Sequence, residues 1–155
     1  MKPASRSYHS SDRRGFSPQV QTLPGLLFAR KIPGEVLVAF ATAECIVQTR
    51  EGKVHAHPGD AVLTGMKGEH WRVSRGKFAE KYRPIDPTRA GQDGRYATLP
   101  VRVAAVHMKE AFEVILADGI SVLTGAPGDW LVDYGDGSLG IIAPEIFAAT
   151  YRIGD

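Results

Sequence analysis

The chain has 155 residues, of which 43% are apolar and 23% are charged, and its formal net charge is +2. This composition is that of a soluble globular protein, and no apolar run approaches the roughly 20 residues that cross a bilayer. The single cysteine, Cys45, excludes an intrachain disulfide. With no secretory signal in the N-terminal residues, we predict a cytoplasmic protein in which Cys45 is a buried apolar residue rather than a nucleophile.

Residues 1–24 are rich in Ser, Arg and Pro and predict a flexible basic tail, because they offer little apolar surface to bury. Residues 1–31 carry a net charge of +5, whereas residues 100–155 carry −5. This asymmetry favours head-to-tail self-association or docking of the tail. A basic arm that touches phosphate through Arg6, Arg13 and Arg14 is the functional alternative.

The rest of the chain predicts a first repeat over residues 25–84, a Pro- and Gly-rich linker over 85–99 and a second repeat over 100–155. Residues 26–30 are interpreted as an edge strand or a helical turn. Apolar and β-branched runs predict strands over 35–40, 43–49, 53–56, 61–64, 70–73, 101–106, 112–116, 120–124, 130–134 and 139–142. Short helices are predicted over 75–82 and 145–150.

Two stretches, residues 58–83 and 127–152, align without a gap and share eight of 26 positions. The identical pairs are Pro58/Pro127, Gly59/Gly128, Asp60/Asp129, Gly68/Gly137, Phe78/Phe147, Ala79/Ala148, Tyr82/Tyr151 and Arg83/Arg152. We therefore predict an α+β fold of two internally duplicated β-rich repeats, each with about five short strands and one short C-terminal helix. Because neither repeat can hide both faces of its sheet alone, residues 25–155 are expected to pack as one compact unit.

The shared residues have structural explanations. Asp60 and Asp129 are expected to hold their turns, and Arg83 and Arg152 to lie at helix C-termini, where a cation is favoured. The predicted core aromatics are Phe78, Tyr82, Phe147, Tyr151, Trp71 and Trp130. Asp133 and Asp136, beside a turn, are expected to be solvated.

The second repeat resembles the PGDYG-motif family, a group of small uncharacterised bacterial and phage-associated proteins. The resemblance rests on Pro127-Gly128-Asp129-Trp130, the turn Gly135–Gly137, Pro144-Glu145-Ile146-Phe147 and Tyr151, preceded by Pro100-Val101 and Phe112-Glu113-Val114. The first repeat is similar through Pro33, Gln48–Gly52 and Pro58–Tyr82, but Ala61 replaces the aromatic residue after Asp60. The resemblance implies two tandem copies, the first degenerate, and it carries over no catalytic residues.

His55 and His57 form a His-x-His pattern whose side chains point the same way on a strand, as two ligands of one metal would. The second repeat has Thr124 and Ala126 at the matching positions, so the pattern is not repeated. A small metal-dependent barrel enzyme is thus one hypothesis, and two solvent-facing histidines beside a turn are the simpler interpretation.

A nucleic-acid-binding surface is a further hypothesis. Its candidate residues are Trp71, Arg72, Arg75, Lys77 and Lys81. No nucleophile motif, phosphate-binding loop or dinucleotide fingerprint is present. We therefore favour a non-enzymatic binding module that needs no cofactor, spans no membrane and binds another protein or itself; nucleic acid is the less favoured partner.

Overall fold

The protein is β-rich with few helices: in a computed structural model that describes residues 6–154, 46% of the chain is strand and 12% is helix. Its internal contacts divide it into two compact units. Unit 1 consists of two segments of the chain, one that ends at Lys31 and one that begins at Val101. Unit 2 is the segment between them, Ile32–Pro100. The expectation that residues 25–155 pack as one compact unit stays a prediction.

The elements follow one another in this order. Unit 1 begins with β1 Arg6–His9, α1 Pro18–Gln21 and β2 Leu27–Lys31. Unit 2 contains β3 Glu35–Phe40, β4 Cys45–Thr49, β5 Gly52–Ala56, β6 Ala61–Thr64, β7 His70–Val73, α2 Arg75–Lys81, β8 Tyr82–Pro84 and β9 Gly94–Thr98. Unit 1 resumes with β10 Arg102–His107, β11 Phe112–Ile115, β12 Val122–Gly125, β13 Trp130–Asp133, β14 Leu139–Ile142, α3 Pro144–Thr150 and β15 Tyr151–Ile153.

The main sheets of the two units have the same strand order and register. The order is β7-β6-β3-β9-β8 in unit 2 and β14-β13-β10-β2-β15 in unit 1, and both sheets are antiparallel. Leu37 pairs with Thr64 in unit 2, and Ala104 pairs with Asp133 in unit 1. Thr64 and Asp133 are also aligned with each other in the sequence, because they are as far apart as Pro58 and Pro127. Each residue in one sheet therefore has a defined counterpart in the other.

The fourth strand of each sheet comes from an unexpected part of the chain. β2 precedes all of unit 2 in sequence but pairs with β10 and β15 of unit 1. β9 lies in the stretch 85–99, which the sequence predicted to be a linker, and pairs with β3 and β8 of unit 2. The Pro- and Gly-rich composition before Gly94 concealed a strand whose Tyr96 is almost fully buried. Residues 26–30 were interpreted as an edge strand or a helical turn, whereas β2, which contains most of them, is an interior strand between β10 and β15.

One face of each sheet packs against its helix. In unit 2 this core includes Val36, Val38, Ala61, Leu63, Phe78, Tyr82 and Tyr96. In unit 1 it includes Ala29, Val103, Ala105, Val132, Phe147 and Tyr151. The rings of Phe78 and Tyr82 stack at 4.9 Å, and those of Phe147 and Tyr151 stack at 5.0 Å. Four of the predicted core aromatics, Phe78, Tyr82, Phe147 and Tyr151, are buried, while Trp71 and Trp130 are partly buried against the cores.

The N-terminal segment is not the flexible tail that its composition suggested, at least over residues 6–24; residues 1–5 of that tail lie outside the described residues. β1 pairs in parallel with β11, in a sheet of order β1-β11-β12. α1 buries Val20 completely, and Tyr8 is also almost fully buried. Two well-placed apolar side chains and backbone hydrogen bonds thus offset the cost of ordering a polar segment.

Candidate functional site

The two Pro-Gly-Asp turns are built alike. Asp60 Oδ2 accepts a hydrogen bond of 2.9 Å from the N–H of His57, and Asp129 Oδ2 accepts one of 3.0 Å from the N–H of Ala126. Gly59 and Gly128 have φ angles of +91° and +97°, which a residue with a side chain rarely adopts. Each carboxylate therefore spans its own turn.

Apart from Gly68 and Gly137, the other shared residues lie in the helices α2 and α3 or just beyond their ends. Phe78 and Phe147 are buried in α2 and α3, and the helices end just before Tyr82 and Tyr151. Burial raises the pKa of Tyr82 to about 12, although a hydrogen bond from the Trp71 indole to its hydroxyl acts in the opposite direction. Arg83 and Arg152 follow in β8 and β15, beyond the helix ends, and both are exposed.

A cavity of about 320 Å³ adjoins this part of unit 2. Its walls include the shared residues Phe78, Ala79, Tyr82 and Arg83. The loop residues Ala90 and Gly91 form another part of the wall.

The histidines are not gathered around a common point. His57 Nδ1 lies 3.1 Å from Glu44 Oε1, and His70 Nδ1 lies 3.0 Å from Thr64 Oγ1. Within residues 6–154 no group of three His, Cys, Asp or Glu side chains has the geometry of a metal site.

Two residues are placed differently from the sequence expectation. Cys45 is exposed rather than buried: it is the first residue of β4, and Val47, two residues further along the strand, is buried. Arg72, expected on a basic surface, directs Nη1 to Asp60 Oδ2 at 3.2 Å and so supports the first turn.

The N-terminal arm, which we define as residues 6–24, covers the turn that follows β13. The N–H of Ser11 donates to the carbonyl of Gly137 at 2.8 Å, and the N–H of Gly15 donates to the carbonyl of Gly135 at 2.9 Å. The N–H of Ser17 donates to Asp133 Oδ2 at 2.7 Å. An added Cβ at Gly137 would collide with the arm's backbone, so the arm and the turn fit closely.

The ring of Phe16 completes this contact. It meets the ring of Phe28 edge-on at 5.9 Å, and a Cβ at Gly135 would come within 3.0 Å of it. The arm therefore adds backbone hydrogen bonds and one aromatic contact to the face of the unit 1 sheet that lies opposite the core.

Asp133 and Asp136, expected to be solvated, are both buried beside the arm. Burial raises the pKa of Asp133, and the nearby Asp136 carboxylate raises it further, while hydrogen bonds from the N–H groups of Gly135 and Ser17 lower it. The sequence did not indicate that this acidic pair is buried, because the segment that buries it is more than 100 residues away in the chain.

The corresponding face of unit 2 carries different side chains. By the register, five residues of this face have counterparts in unit 1 with different side chains. With the unit 2 residue first, the pairs are Leu37/Ala104, Thr64/Asp133, Met66/Gly135, Lys67/Asp136 and Arg95/Phe28. Leu37 is 57% exposed and Met66 89%, whereas Ala104 and Asp133 are completely buried. A cavity of about 300 Å³, here called the open groove, lies on this face, and Glu35, Leu37, Thr64, Gly65, Met66 and Arg95 are among its lining residues.

The turn at the end of the open groove is held by its own residues. The N–H of Gly65 donates to the carbonyl of Glu69 at 2.8 Å, and the N–H of Lys67 donates to Glu69 Oε1 at 3.0 Å. Arg95 Nη1 lies 3.3 Å from Glu35 Oε2 on the groove wall. The groove is therefore lined by apolar side chains, with one ion pair at its side.

Fold and site together define a β-rich protein with two similarly built sheets, each entered by a Pro-Gly-Asp turn. The sequence model of the PGDYG protein family matches residues 52–152, and the chain belongs to this family. No curated protein and no solved structure matches the chain. The described residues contain no helix long and apolar enough to cross a membrane.

Proposed function

We propose that this protein is a non-enzymatic binding module whose open groove holds part of another protein. The observation that carries the proposal is the pair of exposed apolar side chains, Leu37 and Met66, at a formed cavity of about 300 Å³. Exposed apolar surface of this kind, next to polar groups that can fix orientation, is typical of interaction sites.

We also propose that the two units arose by duplication of one ancestral segment. The support is the common strand order, the matching register and the paired turn contacts of Asp60 and Asp129. An experimental structure in which the strand pairing differs between the units would contradict this proposal.

A bacterial origin and a cytoplasmic location belong to the same proposal. The family resemblance supports the origin, and the exposed thiol of Cys45 is compatible with a reducing compartment. Fractionation of the source cells tests the location: recovery of the protein outside the cytoplasmic fraction would contradict it.

Selection of peptides from a displayed random library, with the full chain as target, tests the binding function. The comparison variant is Leu37→Asp/Met66→Asp, which places charge on the open groove. The control is Ile120→Asp, because Ile120 is an exposed apolar residue in unit 1. We expect selected peptides to bind the wild type and the control alike and to lose about tenfold or more in affinity for the double variant. Peptides that bind all three proteins equally would refute a binding function at this groove.

A further inference from the structure

We infer that the cavity beside α2 and β8 in unit 2 binds a small monocarboxylate whose apolar body is about the size of one ring. This cavity lies on the helix side of the sheet, and it shares no lining residue with the open groove on the opposite face. The inference therefore goes beyond the proposed function, and either one can fail without the other.

The first argument is that the wall of the cavity is held in place. The hydroxyl of Tyr96 donates to the loop carbonyls of Arg89 at 3.2 Å and Gln92 at 2.7 Å. The N–H of Arg89 donates to Gln92 Oε1 at 3.0 Å, which ties the same loop to itself. Ala90 and Gly91, which line the cavity, lie between these two anchored residues. Because the wall is already ordered, a ligand has little order to impose when it binds.

The second argument is the lining and the volume. The buried aromatic residues Phe78, Tyr82 and Tyr96 form part of the lining, and the exposed Ala79 forms another part. An apolar cavity of roughly 150 Å³ is enough to hold benzene. The volume of about 320 Å³ therefore has room for one ring with a short acidic group.

The third argument, charge, selects the kind of ligand. Among the described residues that line the cavity, Arg83 alone is charged. It is exposed, and no carboxylate of residues 6–154 forms an ion pair with it. A guanidinium group binds a carboxylate through two parallel hydrogen bonds. One uncompensated positive charge at an apolar cavity therefore matches a ligand with one negative charge and repels a cationic one.

Unit 1 supplies a matched control for this arginine. Arg152 is exposed and follows α3 as Arg83 follows α2. By the register, Ala29 takes the place of Tyr96 in unit 1. Arg152 thus has the same local sequence position, but the residue that anchors the loop wall in unit 2 is replaced by one without a hydroxyl.

Titration of the folded full chain, followed by nuclear magnetic resonance, tests the inference with benzoate, phenylacetate and cyclohexanecarboxylate. We expect at least one of these acids to bind saturably with a dissociation constant below about 10 mM, an ordinary affinity for ligands of this size. The changes in backbone chemical shift are expected to centre on residues 78–96. The corresponding uncharged amide is expected to bind at least about tenfold more weakly, since it lacks the charge that pairs with the guanidinium.

Variants of the protein sharpen the result. Arg83→Gln is expected to weaken binding of the acid at least about tenfold, whereas Arg152→Gln leaves it unchanged. Ala79→Phe places a ring in the cavity from an exposed helix position and is expected to abolish binding. The equivalent Ala148→Phe on α3 is its control. Circular dichroism of each variant establishes that it is folded.

Several results would overturn the inference. These are an amide that binds as tightly as its acid, equal weakening by Arg83→Gln and Arg152→Gln, shift changes that centre outside residues 78–96, and no saturable binding by any of the acids below about 10 mM. The library peptides test the proposed function separately, because neither Arg83 nor Ala79 lines the open groove.

Discussion

In both units the main sheet has a similarly built face towards the helix, but the opposite face differs between the units. Towards the helix, each sheet packs a stacked Phe–Tyr pair against small and β-branched residues. On the opposite face, unit 1 buries Ala104 and Asp133 beneath the N-terminal arm, and unit 2 exposes Leu37. The comparison teaches that a repeated strand pattern determines the helix-side core, whereas a segment from elsewhere in the chain determines whether the second face is closed.

The difference extends to the smaller sheets. β11 and β12 are joined by β1 from the arm, and β4 and β5 form a sheet of two strands in the part of the chain that the structure describes. In unit 1 the arm therefore completes both the sheet face opposite the core and the sheet of β11 and β12. No described residues of unit 2 correspond to the arm.

The largest expected effect tests the shared face. Phe78→Ala and Phe147→Ala each remove a buried, stacked ring, and each is expected to lower the free energy of unfolding by about 3–5 kcal/mol. Urea titration monitored by circular dichroism measures both. A loss at one position more than about twice that at the other would break the equivalence of the two cores.

The next test uses two glycines at equivalent positions. Gly137→Ala and Gly68→Ala both place a side chain at positive φ, which costs roughly 1–2 kcal/mol. Only Gly137→Ala also collides with the arm, so it is expected to lose in addition about 3 kcal/mol from the arm's three hydrogen bonds. Urea titration gives the difference, and limited proteolysis shows whether residues 6–24 become cleavable. Equal losses, with the arm still protected, would mean that the arm contributes little stability.

A smaller effect is expected from changing the size of the side chain at the counterpart positions Ala104 and Leu37. Ala104→Leu overfills a closed face and is expected to cost about 1–3 kcal/mol. Leu37→Ala removes exposed surface and is expected to change stability by no more than about 0.5 kcal/mol. Thermal unfolding measures both. A large loss in Leu37→Ala would show that the face of unit 2 is closed in solution.

The smallest effect is the pH dependence contributed by Asp133. Its pKa is raised in the folded state, so folding takes up a proton between the ordinary carboxyl pKa and the raised one. This contribution to stability is complete below about pH 4 and is lost as the pH rises through the folded pKa. Asp133→Asn lacks this dependence. Its melting temperature relative to wild type is therefore expected to rise from about pH 4 to pH 7. The comparison variant is Asp12→Asn, which removes an exposed carboxyl group. A difference that falls over this range would contradict the raised pKa.

The sequence predicted most of the strands, both helices after the Pro-Gly-Asp turns, and the aromatic cores. These features are encoded locally, in apolar alternation, turn residues and the spacing of Phe78 with Tyr82 and Phe147 with Tyr151. β9 and the N-terminal arm were missed because their composition resembles a linker and a tail. Each pairs with a strand that is distant in the sequence, the arm with β11 and β9 with β3.

The candidate site was beyond sequence reasoning for the same physical reason. Leu37 lies in an alternating strand whose two faces could both have been covered, and Asp133 could have been solvated beside its turn. By itself the sequence determined the repeated turns, the helix-side cores and membership in a family. Only the tertiary structure decided which second face is closed, because burial there depends on where a segment over 100 residues away in the chain is placed.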